Sequence, residues 1–314
     1  MSVAKINRVK EKVEEQLNKL KLSGEVKSEM RTLMRKAMLH PCYGNPEYNW
    51  SLNDFELGAR LGRGKFGRVY IAREKYTGYV VALKTLVKKE LHKSHVEKLI
   101  LREIEIQSHL QHKHILQLLT WFHDSHRIYL VLEYAQKGEL YKHLTNAPGK
   151  RFPEPLAAKY IYQVSDALHY CHQNQVIHRD IKPENLLLTI TNDIKVADFG
   201  WSVHAPSLKR KTMCGTLDYL PPEMVKNQEY SYHVDMWCLG VLCYEFLTGK
   251  PPFESEDQDT TYRKIRSLDF DYPPFISSAA ENLISRLLVL DGKSRLSLPE
   301  VMKHPWIQEQ MKKA

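Results

Sequence analysis

Three short motifs in a fixed order constrain this chain more than any other feature. A glycine-rich run comes first, an octapeptide follows, and the tripeptide Asp198-Phe199-Gly200 comes last. The first two motifs are Gly62-Arg63-Gly64-Lys65-Phe66-Gly67-Arg68-Val69 and His178-Arg179-Asp180-Ile181-Lys182-Pro183-Glu184-Asn185. An isolated Asp-Phe-Gly would mean little, but a chance match to all these positions in order is negligible. The motifs predict transfer of a phosphoryl group from ATP to a hydroxyl.

The octapeptide and the tripeptide supply the groups that this chemistry needs. Asp180 is the candidate base, because a carboxylate beside a serine or threonine hydroxyl can orient it and accept its proton. Lys182 is expected to neutralise charge on the transferring phosphate. Asn185 and Asp198 offer the oxygen ligands that a hard, octahedral Mg²⁺ prefers. ATP and Mg²⁺ are therefore the predicted cofactors.

The glycine-rich run predicts a phosphate-binding loop. Without side chains at Gly62, Gly64 and Gly67, backbone amides can approach phosphates closely. A dinucleotide-binding fold would place such glycines at the start of a helix. Here Arg68–Arg73 alternates like a strand, so the glycines are expected in a hairpin. This pattern excludes the dinucleotide-binding interpretation.

Lys84 is the next candidate catalytic residue. It follows the apolar residues Val81-Ala82-Leu83, where an unpaired charge would be costly unless it met an anion such as a phosphate. Glu103, on a predicted helix, would hold Lys84 in place as an ion pair. Taken alone, Glu103 could equally lie on a solvated helix face, and Glu97 and Glu105 are nearby in the sequence.

Composition indicates a chain with a sizeable core. The 314 residues are 43% hydrophobic and 26% charged, which excludes disorder throughout. No apolar run reaches the ~18 residues of a membrane span, the first residues lack a secretion signal, and five cysteines without a CxxC pair suit a reducing compartment. We therefore expect a soluble intracellular protein. The net charge of +9 suits acidic partners such as nucleic acid, or equally a solvated basic surface.

Residues 1–50 are predicted to be a basic extension. Apolar residues recur there at spacings of three and four, as in amphipathic helices, over Ile6–Leu20 and again over Val26–Met38. Gly24 is expected to end the first helix. Such short helices either dock on a partner or fray, and a mostly disordered tail is an equal alternative.

From residue 55 onward the apolar pattern predicts an α+β fold in two lobes. Strands that begin as an antiparallel meander are expected near 55–61, 69–71, 80–83, 115–122 and 128–133. Helices are expected around 95–110, 157–174 and 232–247, the last apolar all round and therefore buried. The predicted divisions are a β-rich N-lobe, 55–134, a larger α-helical C-lobe, 135–306, and a short C-terminal tail, 307–314.

Residues 55–306 resemble serine/threonine protein kinases, and several segments resemble the Aurora family of these kinases more specifically. The most similar segments are Arg102–Gln107, Asp198–Pro206 and Cys214–Met224. Within the family, Lys211-Thr212-Met213-Cys214 and Gly138-Glu139-Leu140-Tyr141 resemble the Aurora B type, because the Aurora A type tends to have threonine in place of Glu139.

This resemblance implies a bilobal protein kinase fold, with the helix of Glu103 in the N-lobe, and phosphorylation of serine or threonine in a basic context. An Aurora B type kinase would be the enzyme of the chromosomal passenger complex and act on histone tails and kinetochore or centromere proteins. Its partners would be an inner centromere protein-like activator and survivin- and borealin-like subunits, with chromatin contacted indirectly and no membrane partner. It would occur in the nucleus, at the chromosome, centromere and spindle midzone in mitosis, and in the cytoplasm and cytoskeleton. An Aurora A type spindle-pole kinase is the alternative.

The resemblance also implies the residues of the ATP site beyond the glycines and Lys84. Backbone groups of Glu133 and Ala135 would bond the adenine, Leu132 would lie at the back of the pocket, and Glu139 would contact the ribose. The apolar walls would be Leu61, Val69, Ala82 and Leu187. Apolar walls with backbone hydrogen bonds suit a flat ring.

Two residues are expected to regulate the enzyme. Thr212 lies between Asp198 and Pro221-Pro222-Glu223, where kinases of this kind are activated by phosphorylation, and Arg179 would pair with the phosphate. Gln107 replaces the apolar residue that most kinases have on the helix of Glu103, so its amide needs a polar partner, water being one candidate. We infer from it a loosely held helix that depends on a docked activator.

Acidic side chains near the cleft are expected to bind basic substrates. Glu139, Glu184 and Glu245 occupy the positions that do so in basophilic kinases, and Thr216 is a further predicted substrate contact. Alternatively, Glu184 and Glu245 merely form helix-end or buried ion pairs. A pseudokinase or scaffold is the rival function, but a degenerate kinase would normally lack at least one of the catalytic positions present here.

Overall fold

The computed structural model describes residues 14, 24–43, 45, 47–64, 66–200, 202–204 and 216–313. Lys65, Thr212 and most of the first predicted helical stretch lie outside these residues. The chain divides into two units. The first contains the described residues up to Ser94 together with Leu119–Tyr134, and the second contains His95–Leu118 and the residues from Ala135 onward.

A five-stranded sheet is the centre of the first unit, with strand order β1-β2-β3-β5-β4. The strands are β1 (Phe55–Gly64), β2 (Gly67–Glu74), β3 (Val80–Val87), β4 (Leu118–His123) and β5 (Arg127–Glu133). The pairs β1–β2, β2–β3 and β3–β5 are antiparallel, as the meander pattern predicts. One face of the sheet carries an aromatic and aliphatic core of Phe55, Ala72, Val81, Leu83, Phe122, Tyr129 and Val131. Because alternate residues of a strand share a face, Ala82 and Lys84 lie on the opposite one.

Among the described residues, the first unit also contains the helices α1 (Gly24–Leu39) and α2 (Lys88–Lys93). The second predicted amphipathic stretch forms α1, and Gly24 is the first residue of that helix. Met38 is buried against other methionines of α1. Just beyond α1, the buried His40 ring stacks on Trp50, and its Nε2 lies 3.5 Å from Glu74 Oε1. This contact joins the segment before the sheet to the end of β2.

Helices dominate the second unit. Its helices are α3 (Glu97–His109), α4 (Leu140–Asn146), α5 (Glu154–Gln173), α6 (Pro222–Val225), α7 (His233–Thr248), α8 (Gln258–Ser267), α9 (Ser278–Leu287), α10 (Leu298–Lys303) and α11 (Pro305–Gln310). Its short strands are β6 (Gly138–Glu139), β7 (Val176–Ile177), β8 (Leu186–Leu188), β9 (Ile194–Val196) and β10 (Val203–His204). The α+β fold is thus confirmed. None of the described helices has the length and apolar character needed to cross a bilayer.

Helix α7 is the central element of the second unit. Every residue from Val234 to Leu247 is buried, which confirms the prediction made from its continuous apolar character. Gly240 permits close packing, since a Cβ there would lie 2.9 Å from the Cβ of Leu287. The helix ends at Thr248 and is capped by Gly249, whose φ of 89° favours glycine. Residues in the first turn of α7 therefore belong to a helix that is buried on all sides.

One predicted strand begins later than expected. The apolar pattern predicts it near 115–122, whereas β4 starts at Leu118. The reason is a competing partner: the Leu116 N–H donates to the Val196 carbonyl at 2.8 Å, and Ile115 forms a parallel bridge with the same residue. These two residues consequently pair with β9 of the second unit.

Candidate active site

The glycine-rich hairpin joins β1 to β2, as the sequence predicts. Gly64 pairs with Gly67, and Gly62 pairs with Val69. A Cβ on Gly67 would collide with the carbonyl oxygen of Thr85 on β3, so packing alone requires glycine there. Among the described residues, nothing lies within 4 Å of a Cβ built on Gly62 or Gly64. These two glycines therefore leave open the backbone surface that phosphates would approach.

One face of the first-unit sheet carries most of the predicted adenine-binding side chains. Val69 pairs with Lys84 across β2 and β3, and Ala82 pairs with Leu132 across β3 and β5. Paired residues of an antiparallel ladder share a face, so these four side chains lie on the face opposite the aromatic core. Ala82 and Leu132 are buried there. Of the other predicted residues in this unit, Leu61 is exposed on β1 and Glu133 ends β5.

In the second unit, the Asp180 carboxylate is surrounded by polar side chains. Its Oδ2 accepts a hydrogen bond from Asn185 Nδ2 at 2.8 Å and lies 3.1 Å from Lys182 Nζ. Its Oδ1 accepts a bond from Thr216 Oγ1 at 3.2 Å, and Lys182 Nζ donates to the same Oγ1 at 2.6 Å. Asp180 is only 4% exposed. The Thr216 hydroxyl makes the kind of contact to Oδ1 that a substrate hydroxyl must make before it loses its proton.

The two predicted metal ligands present oxygen atoms. Asn185 Nδ2 donates to both the carbonyl and the carboxylate of Asp180, so its Oδ1 is the atom left to bind a cation. The Ala197 N–H donates to the Asn185 carbonyl at 2.9 Å, which ties Asn185 to the segment of Asp198, whose carboxylate is exposed. Oxygen-only donors fit Mg²⁺, which takes one or two protein ligands together with phosphates and water. No group of three or more metal-binding acids, histidines or cysteines occurs among the described residues.

Asp235, which the motifs did not identify, holds the backbone of the octapeptide in place. Its carboxylate accepts the N–H groups of His178 at 3.0 Å and Arg179 at 2.8 Å, as well as His172 Nε2 at 2.7 Å. Burial alone would raise the pKa of this carboxyl, but the hydrogen bond and charge of His172, followed by His178 and the Arg179 N–H, lower its pKa below the ordinary value. Arg179 adopts a φ of 71°, and Asp235 stabilises this strained backbone.

Phe199 and Glu103 lie beside Asp198, the predicted metal ligand. Phe199 is fully buried, with its ring edge-on to His178 at 4.9 Å. A Cβ on Gly200 would lie 3.5 Å from Glu103 Oε2, so the Glu103 carboxylate lies beside Asp198-Phe199-Gly200. Glu103 is buried and does not lie on a solvated helix face, whereas Glu105 is exposed. The predicted ion pair with Lys84, a residue of the other unit, stays a prediction.

The Gln107 amide has a protein partner. Its Nε2 donates to the Leu116 carbonyl at 2.9 Å, and the side chain is buried. The predicted need for a polar partner is therefore met for this nitrogen by a backbone carbonyl and not by water, which was one candidate. The bond joins α3 to the segment that pairs with β9, because Leu116 itself donates to Val196.

Acidic residues surround Glu245. Its partner, Tyr219, lies in the segment just before α6. Tyr219 donates its hydroxyl to the buried Glu245 carboxylate. Burial raises the pKa of Glu245 to about 7; the Tyr219 bond opposes this shift, and the charges of Glu184, Glu254 and Asp218 add to it. Burial and Glu254 also raise the pKa of Asp218. Among the described residues, the partner of Glu245 is therefore a neutral phenol and not the cation of a helix-end or buried ion pair.

The remaining predicted residues of the second unit lie along β6 and β8. Ala135 is buried, and Glu139 pairs with Leu187 across the two strands. The Glu139 carboxylate is 3.5 Å from Lys142 Nζ and remains 43% exposed. Glu139 and Leu187 therefore share one face, as expected for residues that would contact one nucleotide.

Comparison with known proteins identifies the family. Residues 55–307 match the protein kinase domain. The chain is 57% identical to Aurora kinase B of Drosophila melanogaster, over 93% of this chain and 88% of that protein. It is 56% identical to Aurora kinase C of Mus musculus, over 83% and 94% of the two chains. It is 54% identical to Aurora kinase A-A of Xenopus laevis, over 84% and 65%. These similar identities do not separate the Aurora types.

Proposed function

Because the chain belongs to the Aurora family of serine/threonine protein kinases, we propose that it is an Aurora B type enzyme acting on histone tails and kinetochore or centromere proteins. The kinase domain would cover 55–306. The arrangement that supports phosphoryl transfer is the Asp180 carboxylate, with Lys182, Asn185 and Thr216 all in contact with it. Protein kinases use ATP and Mg²⁺. Mg²⁺ held by Asn185 and Asp198 would supply charge stabilisation at the phosphates.

We infer the following roles for the protein's own groups. Asp180 Oδ1 accepts the hydroxyl proton of the substrate at the atom that now accepts a hydrogen bond from the Thr216 hydroxyl. Lys182 is close enough to both Asp180 and Thr216 to neutralise charge on the transferred phosphoryl group without moving far. Lys84 and the amides of the glycine hairpin bind the phosphates, and Glu103 orients Lys84. Apolar residues of the first unit pack on the adenine.

A basic substrate residue is expected to bind the acidic region at Glu245 and Glu184. Because the pKa of Glu245 is about 7, this carboxyl is mostly neutral at pH 6 and mostly ionised at pH 8. We expect the ratio of kcat/KM for a peptide with arginine upstream of the acceptor to that of its alanine counterpart to rise roughly five- to tenfold over this range. Steady-state kinetics across pH measures the ratio.

Two variants make this test specific. Glu245→Gln is expected to remove the pH dependence of the ratio, and Glu184→Ala to lower the ratio at every pH. Glu281→Gln, on helix α9, is the matched control and should leave the ratio and its pH dependence unchanged. A preference for arginine that is unaffected by Glu184→Ala would show that this region does not bind the substrate.

Activation is proposed to require phosphorylation of Thr212, with Arg179 as the group that pairs with the phosphate. The basic residues Lys209-Arg210-Lys211 precede this threonine, so autophosphorylation in trans is the expected route. Thr212→Val is expected to lower activity by about tenfold or more, because the charge-assisted bonds to the phosphate are lost. Mass spectrometry of the active enzyme checks the modification. Full activity of Thr212→Val, or active enzyme without phosphate on Thr212, would contradict this switch.

The Aurora B type assignment predicts an inner centromere protein-like activator in mitotic cells, with survivin- and borealin-like subunits. The edge strand β4 supports docking on the first unit, because Leu119 and Trp121 are 44% and 42% exposed. Affinity purification is expected to recover the activator with wild-type protein and less of it with Trp121→Ala. Recovery of a spindle-pole activator instead would favour the Aurora A type.

A further inference from the structure

A buried hydrogen bond links Arg179 to a residue that the kinase motifs do not include. Arg179 Nη1 donates to the Tyr230 hydroxyl at 2.7 Å. Arg179 is 7% exposed and Tyr230 is 4% exposed, so the bond is shielded from water. Tyr230 lies in the segment between α6 and α7, and its ring belongs to the core of the second unit. The phenol is consequently a fixed point for the guanidinium.

The backbone of Arg179 is fixed independently. Its N–H donates to Asp235 at 2.8 Å, and its φ of 71° is maintained by that contact. Asp235 therefore fixes the backbone from which the Arg179 side chain extends, and Tyr230 fixes the guanidinium at its other end. A guanidinium is planar, with its N–H groups in a rigid fork, so fixing one of them sets the direction of the others. Tyr230 thus orients the whole cation.

The chemistry of the phenol matters as well as its position. A neutral hydroxyl accepts the N–H without cancelling the positive charge, whereas a carboxylate at the same place would neutralise the guanidinium. Bonds from an arginine to a phosphate are strong because both groups are charged, and they need the fork to be correctly aimed. A neutral acceptor satisfies both needs, since it orients the cation and preserves its attraction for an anion.

We propose that Tyr230 is a positioning residue that holds the Arg179 guanidinium in the orientation that binds the activating phosphate. This inference rests on the proposed role of Arg179 as the phosphate-binding group. Tyr230 acts through Arg179 and touches no reacting atom. Its contribution should therefore appear only in the phosphorylated enzyme.

The test compares phosphorylated and unphosphorylated forms of three variants. Tyr230→Phe removes the acceptor and keeps the ring. Tyr230→His keeps a ring and an acceptor nitrogen. Tyr244→Phe is the matched control, because its hydroxyl donates to the Asp271 carbonyl elsewhere in the same unit. Each protein is phosphorylated by a trace of wild-type enzyme, checked by mass spectrometry, and assayed before and after phosphatase treatment.

We expect Tyr230→Phe to reduce the ratio of phosphorylated to unphosphorylated activity by about tenfold, the size expected for a buried hydrogen bond to a charged group. The unphosphorylated activity should not change. Tyr230→His should keep most of the ratio, and Tyr244→Phe all of it. Phosphate on the Tyr230→Phe protein should also be removed faster by phosphatase, because its partner is less well oriented.

Three outcomes would overturn the inference: an unchanged ratio in Tyr230→Phe, an equal loss in Tyr230→His, or an equal loss of activity when Tyr230→Phe is placed in the Thr212→Val background. If phosphorylation of Thr212 does not activate the enzyme, the result is different, because Thr212→Val alone would then be fully active. A melting temperature for Tyr230→Phe close to that of Tyr244→Phe establishes that the compared proteins are equally folded.

Discussion

Replacing Asp180 by asparagine is expected to lower kcat by about 10²- to 10⁴-fold. The amide cannot accept the hydroxyl proton at Oδ1, where Thr216 now donates at 3.2 Å. The fold should survive, because an amide oxygen can still accept the bond that Asn185 Nδ2 gives to Oδ2 at 2.8 Å. Radiometric assay of phosphate transfer to an arginine-containing peptide measures kcat.

The matched control for this change is Asp193→Asn, because Asp193 also accepts side-chain bonds, from Gln163 and Thr191, but belongs to a different part of the second unit. It should keep near-normal kcat. Equal turnover by Asp180→Asn and wild type would exclude Asp180 as the base. Absence of turnover even in phosphorylated, activator-bound wild type would instead favour a scaffold.

Removing the Asp235 carboxylate is expected to have the largest effect on stability. Asp235→Ala leaves the buried N–H groups of His178 and Arg179, and His172 Nε2, without the acceptor that they now share. Removing one partner of a buried charged network costs about 3–5 kcal/mol. We expect the free energy of unfolding to fall by about that amount and kcat to fall with it, since the backbone of Arg179 would relax beside Asp180.

Denaturant unfolding at a fixed protein concentration measures this change, and Asp193→Ala is the control. Asp193 is 38% exposed, so water can replace part of its lost contacts and its loss should cost less than that of Asp235. Asp235→Asn keeps one acceptor oxygen. Its loss of free energy of unfolding should lie between those of Asp193→Ala and Asp235→Ala. A loss below about 1 kcal/mol for Asp235→Ala would mean that other groups fix the octapeptide.

The sequence predicts the arrangement of residues within a motif better than contacts with residues far along the chain. The hairpin at Gly62–Gly67 and the polar group around Asp180 follow from motifs whose spacing is local or fixed by the fold. Asp235 could not be found this way, because it lies far along the chain and resembles any acid in the first turn of a helix. Its role becomes visible only where α7 meets the octapeptide.

Competition between partners explains the other differences. The sequence marks Gln107 as unusual, but a pattern does not reveal that a backbone carbonyl, that of Leu116, accepts the hydrogen bond from its amide. The apolar residues Ile115 and Leu116 predict that the same segment begins a strand, yet Val196 of β9 is their partner. Periodicity reports which side chains are buried and not which element buries them.

The complete burial of α7 also determines how long the catalytic geometry persists. Amides in a helix with no solvent-facing side can exchange with water only when the surrounding unit opens as a whole. Asp235 lies in the first turn of that helix, so the tether to His178 and Arg179 should break no more often than the entire second unit unfolds. Asp180 should therefore keep its position for as long as the second unit stays folded. The surfaces that contact substrates and partners are not fixed by this tether.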